Sequence, residues 1–319
     1  MRTGPNELSF ITDSAWKDIY MHRQGRSQFP KSFTFSEPNG ITSVLSADDT
    51  AHSRQRRLLA HAFSDKALRE QEPLLHGYVD LLISKLHEES HARDGVVDLV
   101  DWYRYTTFDI IADLCFGESF GNLENKAEHA WISAIHPAMK AGHFIDIASK
   151  FPSLRFLTTV VLPMLLSGQR AKSFKYPQEK VRARLARETE RPDFMSYILR
   201  YNDEKGVTRD EIDSNFEVFI VAGSDTTAHL MMGCTYHLLR NPDVLDRLNA
   251  EVRTTFHTAK VINLVALSKM PYLLAVLEES LRMHPPIPTG FARRVLPDGA
   301  IISDRWVPGG VNYSYTIHR

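Results

Sequence analysis

Three runs of residues in this chain have the types and spacing that chemistry uses. His87-Glu-Glu-Ser-His91 puts two histidines at i and i+4 with a glutamate between them, the pattern by which one helix face offers two imidazoles to zinc and a base to the metal's water. Such a site needs a buried face, a third ligand and an open coordination position. The run continues instead into Ala92-Arg-Asp-Gly95, a solvated helix end entering a turn, and a five-residue pattern among 14 histidines arises easily by chance. A surface helix is the preferred reading over a zinc hydrolase. The second run, Ala222-Gly-Ser-Asp-Thr-Thr227, lies in the middle of a strongly apolar stretch. Glycine weakens a helix and a buried acid is costly, so this run needs a reason. One reason is close helix packing, with hydroxyls bonding back to carbonyls. Another is a groove where a flat ligand approaches the backbone, served by an acid and a hydroxyl. The third run, Glu279-Ser-Leu-Arg282, pairs opposite charges at i,i+3. Alone it would be an ordinary surface ion pair, worth little, but its flanks are apolar.

The elements that must position these residues are mostly helical. Thr208-Arg-Asp-Glu211 is a capping box opening a helix that runs through the apolar stretch Phe216 to Leu239. Glu217, Asp225, His229 and His237 interrupt that stretch, which argues for a helix buried in a protein core and against a membrane span. Leucines, valines and isoleucines at three- and four-residue spacing predict an amphipathic helix over Ser64 to Leu86. A second spans Val96 to Phe116 and closes at Gly117. Ala130 to Gln169 reads as apolar and broken at Pro137, Pro152 and Pro163, and Arg170 to Arg191 as a solvent-facing helix or linker. Asn241-Pro242 predicts an N-cap with proline at the first helical position; another helix begins at Met270-Pro and ends at Met283-His-Pro-Pro286. Short β-like pieces follow over Phe291 to Leu296, Ala300 to Ser303 and Val311 to Ile317. The expected fold class is mainly α with a small β part.

Composition narrows the function classes. The 319 residues carry 38 Lys+Arg against 39 Asp+Glu, a net charge of −1, with 43% hydrophobic and 24% charged residues. That is a globular composition; it excludes a disordered tail and a collagenous fibre, and no nucleic-acid partner is expected because the Lys/Arg excess for phosphates is missing. The two cysteines, Cys115 and Cys234, form no CxxC or other metal spacing, so no disulfide scaffold is expected. The first ten residues have no apolar signal region and read like the middle of a domain.

Taken in order and separation, these motifs resemble the cytochrome P450 family of heme-thiolate monooxygenases, and in particular its fungal microsomal members. Ala222 to Thr227 meets the distal-helix pattern [A/G]Gx[D/E]T[T/S], and Glu279 and Arg282 with Pro285-Pro286 meet the ExxR segment. His52-Ser-Arg-Gln-Arg56-Arg57 with Ala62-Phe63-Ser64 is similar to the heme-edge helix, Arg293 falls where an arginine follows the ExxR helix, and Ala15 to Tyr20 and Thr106 to Phe120 also look fungal. The resemblance covers the whole chain, so residues 1–319 are expected to form one partial domain of that fold. It lacks the N-terminal anchor and first strands, and the C-terminal FxxGxRxCxG loop.

The resemblance implies heme as cofactor. It implies Asp225 and Thr226 as catalytic residues that relay protons and bind dioxygen, and Gly223 with Ala222 as the space above the iron. His52, Arg56 and Arg293 would pair with heme propionates, and Glu279 and Arg282 would be structural, their later arginine partner missing. A lipophilic secondary metabolite is the implied substrate, lined by residues before His52, by Phe144 to Leu166, Phe216 to Val221 and Ile287 to Phe291. NADPH–cytochrome P450 reductase is the implied electron donor. The family's place is the endoplasmic reticulum membrane; with no anchor in this chain, a cytoplasmic location is the expected alternative. No metal ligand is expected, because the axial cysteine loop is absent and neither Cys115 nor Cys234 has its context. The chain as written is therefore expected to be inactive, the alternative being a non-catalytic remnant that binds a hydrophobic ligand.

Overall fold

A computed structural model describes residues 1–22, 27–32, 40–92, 94–149, 151–154, 156–187, 191–202, 206–288 and 290–315. The chain opens with strands β1 (Arg2–Gly4) and β2 (Glu7–Phe10), then helix α1 (Asp13–Tyr20). The helical body comprises α2 (Asp49–Leu59), α3 (Asp65–Ala92), α4 (Leu99–Phe116), α5 (Asn122–Asn125), α6 (Ala130–Ser149), α7 (Leu162–Leu185) and α8 (Phe194–Tyr201). It continues through α9 (Arg209–Arg240), α10 (Pro242–Thr255), α11 (Leu264–Leu267) and α12 (Pro271–Met283). Strands β3 (Arg293–Arg294), β4 (Ala300–Ile302), β5 (Arg305–Val307) and β6 (Asn312–Tyr315) follow. The expected class, mainly α with a small β part, is what the chain adopts. The pieces expected over Phe291 to Leu296 and Ala300 to Ser303 shorten to β3 and β4, Thr316 and Ile317 of the last lie outside the described residues, and β1, β2 and β5 were not predicted at all.

The long helix α9 forms for the reason its first turn advertises. Thr208 Oγ1 accepts from Glu211 N at 3.3 Å and Glu211 Oε2 accepts from Thr208 N at 2.8 Å, so both halves of the capping box are present. Its partner α4 starts at Asp98, whose carboxylate accepts from Val100 N, and stops at Gly117, where φ is +72°. The two helices pack closely. Phe108, Phe116, Phe216 and Ile220 are fully buried between them in the larger core, which also takes Leu58 and Leu59 from α2 and Met195 and Ile198 from α8.

A second, smaller core joins the two ends of the chain. Strand β2 pairs in parallel with β6, with Glu7 opposite Asn312 and Phe10 opposite Tyr315, and β3 pairs antiparallel with β6. Beneath that sheet Ala15, Ile19, Phe29, Val295, Ile302, Val307 and Tyr313 are buried together.

Three local expectations are corrected. Pro137 lies inside the continuous helix α6 and does not break it. The 170–191 segment is not uniformly solvent-facing: Val181 is fully buried, and Arg184 is 3% exposed because Asp193 pairs with it in the interior. Asn241 caps backwards, its side-chain amide donating to His237 O of α9 at 2.8 Å, and gives α10 no side-chain cap. Among the described residues no helix is long and apolar enough to cross a membrane.

Candidate cofactor and proton-relay site

Around the glycine–acid–threonine run, α9 is tied to its own backbone. Ser224 Oγ donates to Ile220 O at 2.5 Å, Thr226 Oγ1 to Ala222 O at 2.6 Å and Thr227 Oγ1 to Gly223 O at 3.0 Å. Three back-bonding hydroxyls within four residues load one turn with alternatives to the helix ladder. Ser224 is fully buried, whereas Thr226 is partly exposed and Thr227 exposed. Gly223 is held by packing: a Cβ there would lie 2.9 Å from Ile111 Cδ1 of α4. The close-packing reason for this run therefore operates, and Gly223 faces Ile111. Ala222 and Thr227 are exposed on α9.

Asp225 is oriented toward α4. Its Oδ1 lies 4.0 Å from Arg104 Nε, and its side chain is 16% exposed. Arg104 also pairs with Glu128 and sits 4.0 Å from Asp101, so one guanidinium serves three carboxylates. Nothing in the spacing of the sequence marks Arg104 as a neighbour of Asp225. His229 Nδ1 lies 2.8 Å from Asp225 O, one turn on.

The basic residues do come together. His52 and Arg56 share a face of α2 at i,i+4, and Arg293 of β3 and Lys31 lie close enough that all three cations act on the His52 imidazole. Burial first, then Lys31, Arg56 and Arg293, push the His52 pKa down, and only Asp49 opposes them. Burial likewise lowers Arg293, which is half-buried against the Tyr20 ring at 5.9 Å. Cations crowded together at a partly buried surface are a cost unless an anion joins them. Guanidinium groups suit a carboxylate's two oxygens, so the chemistry of this donor set fits a ligand bearing carboxylates. No motif in the sequence marks Lys31 as a member. It reaches the cluster by pairing its backbone with Arg293, while its ammonium donates to Val44 O at 3.0 Å.

Other candidates stand apart. Glu279 and Arg282 form a two-pronged pair at 2.7 Å and 2.7 Å on α12, both about half exposed. That bond to Arg282 lowers the Glu279 pKa. His87 and His91 are exposed at the end of α3, with Lys85 on Glu88 at 3.3 Å and Lys126 on Glu89 at 3.2 Å. Among the described residues no group of three His, Cys, Asp or Glu could hold a metal. Cys115 is fully buried in the main core, where burial drives its thiol pKa well up, the opposite of what a thiolate ligand needs. Cys234 is half-buried on α9. Of the expected substrate wall, Phe216 and Ile220 are in the core against α4, because that face of α9 is the one α4 covers. Phe144, Ile147, Phe151, Phe156 and Met164 are exposed, Thr158 is buried, and only some of the side chains of 144–166 lie outside the described residues.

The fold is thus a mainly helical body crossed by one long helix that carries the glycine–acid–threonine run, with a small sheet whose edge joins α2 in a cluster of basic side chains. The family model of cytochrome P450 matches residues 2–318. The chain is 43% identical over 318 residues to the cytochrome P450 monooxygenase astA of Talaromyces wortmannii, covering 98% of this chain and 64% of that protein. It is 42% identical over 314 residues to the monooxygenase aclL of Aspergillus oryzae, 97% and 64% covered, and 39% identical over 313 residues to averantin hydroxylase of Dothistroma septosporum, 97% and 58% covered. The chain belongs to the cytochrome P450 family. It spans about 64% of the length of the first two of those relatives.

Proposed function

We propose that this chain is the heme-holding helical body of a fungal monooxygenase that oxidises a lipophilic secondary metabolite. The observation that carries the reading is the cluster of His52, Arg56, Arg293 and Lys31, whose excess positive charge fits a group with two carboxylates, as heme has. Heme, when bound, supplies the activation of dioxygen with electrons from a reductase. The chain's own residues hold and orient it. Arg56 and Arg293 would pair with the propionates, Lys31 would add charge, and His52 would offer them an N–H.

On the distal side, Ala222 leaves an exposed, unbranched surface on α9, and Gly223 lets α9 lie close to α4. Thr226 keeps its hydroxyl beside that surface, parked on Ala222 O at 2.6 Å and ready to rotate toward a ligand. Asp225, one residue earlier, is the acid that resupplies protons, and Arg104 fixes its carboxylate on the α4 side until it turns. Glu279 and Arg282 are structural. Averantin hydroxylase, among the relatives, carries a name consistent with hydroxylation; NADPH–cytochrome P450 reductase as electron donor and an endoplasmic reticulum setting belong to the same proposal.

Heme uptake tests the reading. Hemin added to the purified chain should give a Soret band that saturates at one heme per chain. Arg293→Gln should weaken that uptake by about tenfold, the worth of one charge-assisted bond to a carboxylate. Absence of a saturable band, or zinc bound one to one through His87 and His91, would overturn it.

A further inference from the structure

A buried polar network lies under the basic face, and no motif accounts for it. Gln55 on α2 and Asn215 on α9 are both fully buried, and Glu211 is 7% exposed. Asn215 Nδ2 donates to Gln55 Oε1 at 3.0 Å and to Glu211 O at 2.7 Å. Gln55 Nε2 donates to Thr42 O at 3.0 Å and reaches Glu211 Oε1 at 3.3 Å. Asn215 Oδ1 accepts from Val44 N at 2.8 Å. Arg54 closes the network from outside, donating to both Glu211 oxygens at 2.5 Å and 2.9 Å and to Gly206 O at 2.5 Å.

Two members of this network, Gln55 and Val44, lead to the basic cluster. Gln55 is one residue from Arg56 and three from His52, so fixing its amide fixes the rotation of α2 that presents both. Val44 offers its N–H to Asn215 and its carbonyl to the Lys31 ammonium, so Asn215 sets the acceptor that holds Lys31 in place. The bond from Asn215 to Gln55 and the one from Gln55 to Glu211 join α2 directly to α9, the helix carrying Asp225 and Thr226. We infer that Gln55 and Asn215 are positioning residues: they align the cationic face of α2 and Lys31 with α9, so that the carboxylates of the bound porphyrin meet preplaced charges. This rests on the reading of the basic cluster as the heme-propionate site.

The test uses metal-free protoporphyrin IX and its dimethyl ester, which need no iron ligand and differ only at the carboxylates. Quenching of porphyrin fluorescence by the intact chain gives both dissociation constants and their ratio. The wild-type chain should prefer the acid by about tenfold or more, as charge-assisted bonds to two carboxylates require. Gln55→Met and Asn215→Leu keep the charge of the cluster and nearly the buried volume, and each should bring the ratio to within about threefold of one, a loss of roughly half the preference in free energy. Ser53→Ala, on the exposed side of α2, should leave it unchanged. A general loss of stability would weaken acid and ester alike and leave the ratio standing. Should either apolar variant fail to fold, Asn215→Ser, which leaves a polar hydroxyl but withdraws the amide from Gln55 Oε1 and Val44 N, gives the same readout. A wild-type preference that survives in the variants overturns the inference alone; no wild-type preference for the acid overturns the cluster reading beneath it.

Discussion

At the scale of single residues, the glycine of α9 shows how one position serves two demands. A Cβ at Gly223 would stand 2.9 Å from Ile111 Cδ1 and 3.1 Å from Ile111 Cγ1. Replacing glycine by alanine inside a helix gains about 1 kcal/mol of propensity, while overpacking a core costs about 1–3 kcal/mol. The second effect wins here because Ile111 is itself 9% exposed and hemmed in by the core. Gly223→Ala is therefore expected to destabilise the chain, and the same change in an Ile111→Val background, which removes Cδ1, to be neutral or stabilising. Urea unfolding of the four chains should give a coupling of about 1 kcal/mol or more; additivity would show that Ile111 does not dictate the glycine. The sequence announced the glycine and both threonines through their pattern. It could not announce Ile111 or Arg104, since those partners come from a helix more than a hundred residues earlier. Nor did it mark Gln55, which sits in a run of arginines that draws the eye to charge.

At the scale of elements, charge buried between helices decides how firmly they are joined. The hydrogen bond from Arg54 depresses the Glu211 pKa from 4.5 to about 2, with bonds from Thr208 assisting against burial. A carboxyl held low in the folded state stabilises above its unfolded pKa, and that contribution disappears as pH falls through the folded value. The chain should thus lose on the order of 2–3 kcal/mol between about pH 4.5 and 2 from this group, the partly exposed Arg54 end tempering the full shift. Glu211→Gln should flatten that limb of the stability curve and cost stability at pH 7; an unchanged acid limb in urea melts would remove Glu211 as its cause. A second buried pair binds α7 to the start of α8. Arg184 Nε and Nη2 donate to the Asp193 oxygens at 2.6 Å and 3.0 Å, with side chains 3% and 0% exposed, and Asp193 also accepts from Ser196 N at 2.8 Å. Arg184→Met should cost about 3–5 kcal/mol, because it strands a buried carboxylate, and Asp193→Leu added to it should recover part of the loss. A single variant within 1 kcal/mol of wild type would show that water reaches Asp193. The capping box of α9 and the stop of α4 were legible because they are local. The basic look of the 170–191 segment misled because a charge count cannot say which arginine has a buried partner.

At the scale of the molecule, the two largest cores divide the labour. The larger unites α2, α4, α8 and α9, while the smaller is assembled from residues near both ends of the chain, Ala15 and Ile19 from one and Val295 to Tyr313 from the other. The parallel pairing of Glu7–Phe10 with Asn312–Tyr315 spans about three hundred residues. Sequence pattern could not foresee it: strand partners so distant leave no local trace, although Pro5-Asn6 is the turn between β1 and β2. Arg293 and Lys31 sit at the sheet's edge, so the small core places half of the cationic face and α2 the other half. Because the cores share no buried side chain, the sheet should open without the helices. Tyr313 is fully buried and meets the Phe29 ring edge-on at 5.2 Å, so Tyr313→Ala should cost about 3–5 kcal/mol. In native-state hydrogen exchange, the amides of Glu7–Phe10, Asp13–Tyr20 and Asn312–Tyr315 should lose protection by that amount while those of α4 and α9 keep theirs. If α4 and α9 lose protection in step, the two cores form one cooperative unit and the cationic face cannot open in halves. If the sheet alone loosens, the preference for the acid porphyrin over its dimethyl ester should fall in the same variant with Arg56 still in place, because Arg293 and Lys31 depend on the sheet and Arg56 does not.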